Sequence, residues 1–172
     1  MKEEIIFLVL LISILLSGCD LSSSEEDSFY LEYEYLRSGP GTGDYKITIN
    51  SEGILIYNEE NFYAGDGINI TKQLIEEEVN EIIKVIKNSN FFTLPDRIRN
   101  DRCLDGSEAK LSITLNNDKK HTVVMYHCAN SNRRFENIEK KILEHKQNKI
   151  DAELYNLRLE KIKEAEELQQ EI

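Results

Sequence analysis

One helical repeat set between two stretches of period-two alternation constrains this chain most. Ile75, Val79, Ile82, Ile83 and Ile86 recur on one helix face, with Glu76, Glu77, Glu78, Glu81 and Lys84 between them. Thr71 is positioned to cap that helix, and three early glutamates suit its macrodipole. Asn88-Ser89-Asn90 ends it, and Phe91-Phe92-Thr93-Leu94-Pro95 reads as a plug from the helix end into the core. Upstream, apolar residues at 29, 31, 33 and 35 alternate with Glu32 and Glu34, Gly39-Pro40-Gly41-Thr42-Gly43 breaks the chain, and Tyr45–Ile49 resumes the alternation. A turn at Asn50-Ser51-Glu52-Gly53 leads into Ile54–Tyr57, which gives three antiparallel strands. Downstream of a polar loop at 96–108, Leu111, Ile113 and Leu115 alternate with polar residues. Asn116–Lys119 then turns the chain back through His121–Tyr126. The expected fold is α+β: an antiparallel sheet of about five strands, one packed amphipathic helix and a long C-terminal helix.

That last helix is expected over 132–172, with a break near Gln147-Asn148. Phe135, Ile138 and Ile142 are placed to pack on the domain. Ile150, Leu154, Leu157, Ile162, Ala165, Leu168 and Ile172 continue an imperfect stripe beyond the reach of a compact sheet. Two readings stand for this extension, a contact surface for a partner helix and a solvated helix laced with i,i+4 ion pairs. The spacing divides the chain into a domain over 29–146 and a helical extension over 147–172.

The apolar run Ile5–Leu16 is twelve residues long, whereas a helix needs roughly 20 to cross a hydrocarbon core. It reads as the hydrophobic region of a signal peptide. The tetrad Leu16-Ser17-Gly18-Cys19 resembles the lipobox of bacterial lipoproteins at all four positions. The resemblance implies that Cys19 carries diacylglycerol and an acyl chain such as palmitate, and that residues 1–18 are removed. It also places the protein on the extracytoplasmic face of the cell membrane. The leader departs from the pattern in carrying one lysine, Lys2, against Glu3 and Glu4. Residues 19–28 are polar and read as a tether, with a typical reach of about 15–18 Å.

Loss of residues 1–18 leaves 20 basic and 30 acidic side chains, a net charge of −10. Nucleic acid is therefore not an expected partner, because phosphate binding needs clustered cations. Arg97/Arg99/Arg102 and Arg133/Arg134 lie among Asp96, Asp101 and Glu136 and read as solvated faces. The glycines at 39–43 lack the Lys-Ser or Lys-Thr of a phosphate loop and no helical pattern follows them, so they read as a turn. His121 and His127 are expected to face solvent from their strand.

With Cys19 assigned to lipid, Cys103 and Cys128 remain, and an even count in an oxidising compartment favours a disulfide over two free thiols. The hairpin spacing puts residue 128 opposite about residue 107. The loop Asp101–Glu108 carries some calcium-loop positions but has Cys103 at the third and Ser112 at the twelfth. Cys103, His127 and Cys128 lack the paired spacing of zinc motifs. No metal or cofactor is expected.

The segment from about Phe29 to Leu143 resembles an uncharacterised domain of bacterial lipoproteins and envelope proteins. The likeness is carried by Gly53 after the Tyr45-x-Ile-x-Ile strand, the helix ending in Phe91-Phe92-x-Leu94, the Cys103-x-Asp105-Gly106 loop and the final hairpin. It is also similar to the emfourins, small proteinaceous metalloprotease inhibitors whose helix likewise ends in Phe-Phe, although no inhibitory residue carries over. The expected function is a membrane-anchored, non-catalytic binding module of the cell envelope, anchored through lipid and meeting an envelope protein through its C-terminal helix. A protease inhibitor is the alternative, and a hydrolase using loop carboxylates such as Asp101 and Asp105 is the other. No serine, HExxH or cysteine–histidine constellation supports catalysis.

Overall fold

Alternation along Phe29–Leu36 makes β1, and its two-sided pairing puts it at the centre of the sheet. The computed structural model describes residues 28–36, 44–60, 67–99, 106–116, 119–127 and 132–170. On one side of β1, β2 (Tyr45–Asn50), β3 (Ile54–Glu59) and β4 (Ile68–Gln73) follow as an antiparallel meander. On the other, β1 pairs with β6 (Ser107–Leu115) and β6 with β7 (Lys119–His127), while the short β5 (Arg97–Ile98) runs parallel to β7. Among the described residues seven strands form the sheet, in the spatial order β4-β3-β2-β1-β6-β7-β5.

The α+β class holds, and two strands exceed the expected five. The first, β4, occupies residues assigned from sequence to the approach of the helix. Ile68 and Ile70 pair with Glu59 and Tyr57 and are buried, so tertiary pairing overrides the capping signal of Thr71. The second, β5, is two residues long, too short to show a period.

Gly53 closes the β2–β3 turn at φ +77, the left-handed region that glycine adopts without cost. Its carbonyl accepts the Leu74 amide at 2.8 Å. A Cβ at this position would lie 2.7 Å from the Leu74 carbonyl oxygen. The turn is thereby sealed against the segment leading into the first helix.

Helix α1 (Glu76–Asn88) starts where Glu78 reaches back to accept the Ile75 amide at 2.9 Å, which satisfies one orphan donor of the first turn. It buries Val79, Ile82 and Ile86. Phe91 follows fully buried, so the Phe-Phe segment does plug the core. The break expected near Gln147-Asn148 falls at Ile150, between helices α2 (Arg133–Lys149) and α3 (Asp151–Gln170). Asn132 caps α2 through its side chain, accepting the amides of Arg134 and Phe135.

The helices lie on the sheet face that carries Leu31, Ile47, Leu55, Leu111 and Val123. Helix α2 runs antiparallel to α1: Arg134 meets Ser89 and Asn90 at one end, Lys141 meets Glu81, and Lys149 meets Glu78 at the other. Helix α3 then runs beside β4 and β3, pairing Lys72 with Glu153 and Glu59 with Arg158. The apolar core continues into Ile150 and Leu154.

Candidate functional site

At one end of the sheet, five tyrosine and acidic side chains of the strands turn inward to meet α2 and α3. The alternation of β1 puts Tyr33 and Tyr35 on the helix-covered face, and the β1–β2 and β2–β3 registers bring Tyr45 beside Tyr35 and Tyr57 beside Ile47. The rings of Tyr35 and Tyr45 stack at 5.3 Å, those of Tyr45 and Tyr57 at 5.6 Å, and Tyr33 tilts against Tyr45 at 6.2 Å. Lys146 of α2 sits 5.7 Å above Tyr45 and 5.5 Å above Tyr57, within range of a cation–π attraction. Its ammonium is also 2.5 Å from Asp151.

Buried phenols need acceptors, and each described one has a partner. Tyr33 donates to Glu139 Oε1 at 2.7 Å, and His127 Nε2 donates to the same oxygen at 2.8 Å. Tyr35 donates to Ser107 Oγ at 2.9 Å. Tyr57 donates to Glu59 at 2.7 Å, and Nη2 of Arg158 on α3 lies 2.6 and 2.7 Å from the two oxygens of that carboxylate, a charge-assisted contact shared by one nitrogen.

A carboxylate taken out of water costs several kcal/mol unless donors replace its hydration. Glu139 is 8% exposed, and its donors are Tyr33 and His127. The hydrogen bond to Glu139 raises the His127 pKa above its ordinary value against the opposing effect of burial. Burial, then the Glu139 charge, pushes the Tyr33 phenol far above the usual tyrosine range, so it stays protonated and donating. The arrangement is a hydrogen-bonded network that ties α2 and α3 to the strand ends through Glu139 and Glu59.

The strand ends at this side are Leu36, Glu59, Ser107 and His127, where β1, β3 and β7 leave the sheet and β6 enters it. Ser107 and His127 are direct cross-strand partners. Cys103, Cys128, Asp101, Asp105, Arg102 and Gly39–Gly43 lie outside the described residues, as does Cys19.

His121 and His127 correct the expectation of solvent-facing histidines. They share the covered face with Val123 and Met125. His121 Nε2 lies 2.9 Å from the Leu94 carbonyl, with its ring 5.4 Å from Phe91. The strand alternates in sequence as expected, but its histidines fall on the apolar phase. Arg134 is likewise used internally, donating to the Ser89 carbonyl at 2.6 Å, to the Asn90 carbonyl and to Thr93 Oγ1 at 2.5 Å, which closes the C-terminal end of α1. Arg99 lies over the Tyr126 ring at 5.6 Å. Among the described residues, no group of three or more His, Cys, Asp or Glu side chains could hold a metal ion.

Sequence reasoning missed Glu139. Its signal was its place in the stripe Phe135, Ile138, Ile142, since a residue at 139 shares that face.

Helix α3 does not carry one stripe but two. Leu154 is buried, as is Ile150 at the joint before it, and Leu157 is half-buried, whereas Tyr155, Leu159 and Ile162 are 64%, 38% and 54% exposed. Residues 155, 159 and 162 follow one another at steps of four and three, so they share a face. That face is turned away from the sheet. Among the described residues no helix is long and apolar enough to cross a membrane.

A family model described as a domain of unknown function, DUF6438, matches residues 40–166, from the approach to β2 through most of α3. No curated protein matches the chain.

Proposed function

We propose, from the premise that the chain belongs to the DUF6438 family, that it is a lipid-anchored, non-catalytic interaction module on the extracytoplasmic face of the cell membrane. The tetrad Leu16-Ser17-Gly18-Cys19 supports the anchor, with Cys19 bearing the lipid and residues 20–28 serving as tether. Ser28 lies at the sheet end opposite the tyrosine–glutamate–histidine network, because its carbonyl accepts the Asn116 amide beyond the tip of β6. A tether attached there leaves the network end of the sheet and the free length of α3 facing away from the point of attachment.

The observation that carries the interaction role is the exposed line Tyr155, Leu159 and Ile162, opposite the face α3 already buries. Large apolar side chains aligned on a solvated helix face are the usual form of a helix-binding surface. The network supports a non-catalytic reading, since its described donors and acceptors bond one another.

The test is co-purification of the full chain from detergent-extracted membranes, beside Leu159→Gln/Ile162→Gln. A cut after Lys146 is unsuitable because Ile150 and Leu154 belong to the core. The account expects a stoichiometric envelope protein with the unaltered chain and its loss with the variant. Equal recovery of the same protein by both would contradict it.

A further inference from the structure

His145 is the described residue whose burial the rest of the fold does not explain. It sits on α2 at 4% exposure, and neither Nδ1 nor Nε2 has a hydrogen-bond partner among the described residues. An orphaned buried polar atom carries its full desolvation cost. Around the ring stand Glu78 and Glu81 from α1, and Lys141 and Lys149 one turn to either side on α2. Both carboxylates are already engaged: Glu78 accepts Lys149 at 2.9 Å and the Ile75 amide at 2.9 Å, and Glu81 accepts Lys141. Glu78 Oε1 stands 4.0 Å from Nδ1, too long for a hydrogen bond. The middle rung of the α1–α2 seam therefore has no hydrogen bond among the described residues, between two ion pairs.

We propose that protonation of His145 unclasps α1 from α2, so that mild acid opens the helical layer while the sheet stays paired. A proton on this ring adds a cation between Lys141 and Lys149, while the facing carboxylates Glu78 and Glu81 each already hold a lysine and Glu144 of α2 is held by Lys141. Opening hydrates the ring and relieves both the orphaned nitrogens and the charge. Burial, then Lys141, holds the ring's pKa below the ordinary histidine value, with Glu78 and Glu81 pulling the other way and Lys149 adding to the depression. The closed state thus takes up the proton at lower pH than the open state, and acid favours opening. His127 works oppositely at the other half of α2, because its proton strengthens the bond to Glu139. Opening is accordingly confined to the half of α2 around Lys141–Lys149 and to the facing N-terminal turns of α1, where Val79 and Ile82 are buried.

Amide exchange read by mass spectrometry on the full chain at pH 7.5 and pH 5, corrected for intrinsic rates, tests this. With the open ring titrating near 6.5, the opening constant should rise on the order of tenfold over that interval. The rise is expected in peptides covering 76–82 and 141–149, not in β1 or β6, and is expected to vanish in His145→Phe. Equal acid dependence in His145→Phe, no rise in the unaltered chain, or a rise shared by sheet and helices would overturn the proposal. Should His145→Phe not fold, the ring of His145 in the unaltered chain can be titrated by NMR. A midpoint below about 6.5 is expected, and one at or above that value would overturn the proposal.

Discussion

Tyr33 of the central strand and Glu139 of α2 are joined by a 2.7 Å hydrogen bond spanning 106 residues of sequence. The bond connects the middle of the sheet to the helix that leads into α3. With His127 on the same oxygen, it makes Glu139 the point where β1, β7 and α2 meet.

Removing either partner should therefore cost more than an average surface substitution. Tyr33→Phe is expected to lower unfolding free energy by about 1.5–3 kcal/mol, the range for a hydrogen bond to a charged group. Glu139→Ala should cost at least as much, since it strands both donors. Urea denaturation of the single and double variants checks this, and the double variant should fall short of the sum because the three groups act as one network.

The pH dependence of stability at His127 has a definite sign. Its folded pKa is raised, so the native state holds the proton more tightly than the unfolded chain. The stabilisation is present in full below the unfolded value of about 6.5 and is lost as pH rises through the folded value. His127→Gln should thus destabilise by about 1 kcal/mol near pH 6 and by less near pH 9, read from urea midpoints. A difference that grows with pH would contradict the assignment.

Gly53→Ala tests the turn that seals β2 and β3 to α1. The added Cβ meets the Leu74 carbonyl oxygen at 2.7 Å in a backbone at φ +77. Strain of this kind costs about 1–3 kcal/mol, and the expected outcome is a fall in thermal midpoint with the fold retained by circular dichroism.

The register that pairs Ser107 with His127 bears on the cysteines. Cys103 lies four residues before one partner and Cys128 immediately after the other, which supports the proposed disulfide. Intact mass is expected to rise by about 2 Da on reduction of natively isolated protein, and the urea midpoint to drop by the equivalent of about 3 kcal/mol. Two free thiols reactive without reductant would refute it.

Much of this fold was legible because its periods are clean. The alternation of β1, β2, β6 and β7 and the face of α1 read directly from Leu31, Ile47, Ile113 and Ile82, each a buried apolar residue in phase. β4 was not legible, because Thr71 offers a capping hydroxyl while only Ile68 and Ile70 announce a strand, and pairing with β3 decides between them. The network was hidden for a different reason. Tyr33 and His127 fall on the apolar phase of their strands, and nothing local tells that Glu139 stands across from both. The two-faced α3 reads as one imperfect stripe in sequence, and only its packing separates Leu154 from Leu159.

The anchor is the claim on which the placement of every surface depends. Mass spectrometry of the N-terminal peptide from protein extracted from membranes tests it most directly. The account predicts a chain that begins at Cys19 and carries a thioether-linked diacylglycerol, with Cys19→Ala released from the membrane or left unprocessed. An unmodified N-terminus, or one upstream of residue 19 in the mature protein, would contradict it.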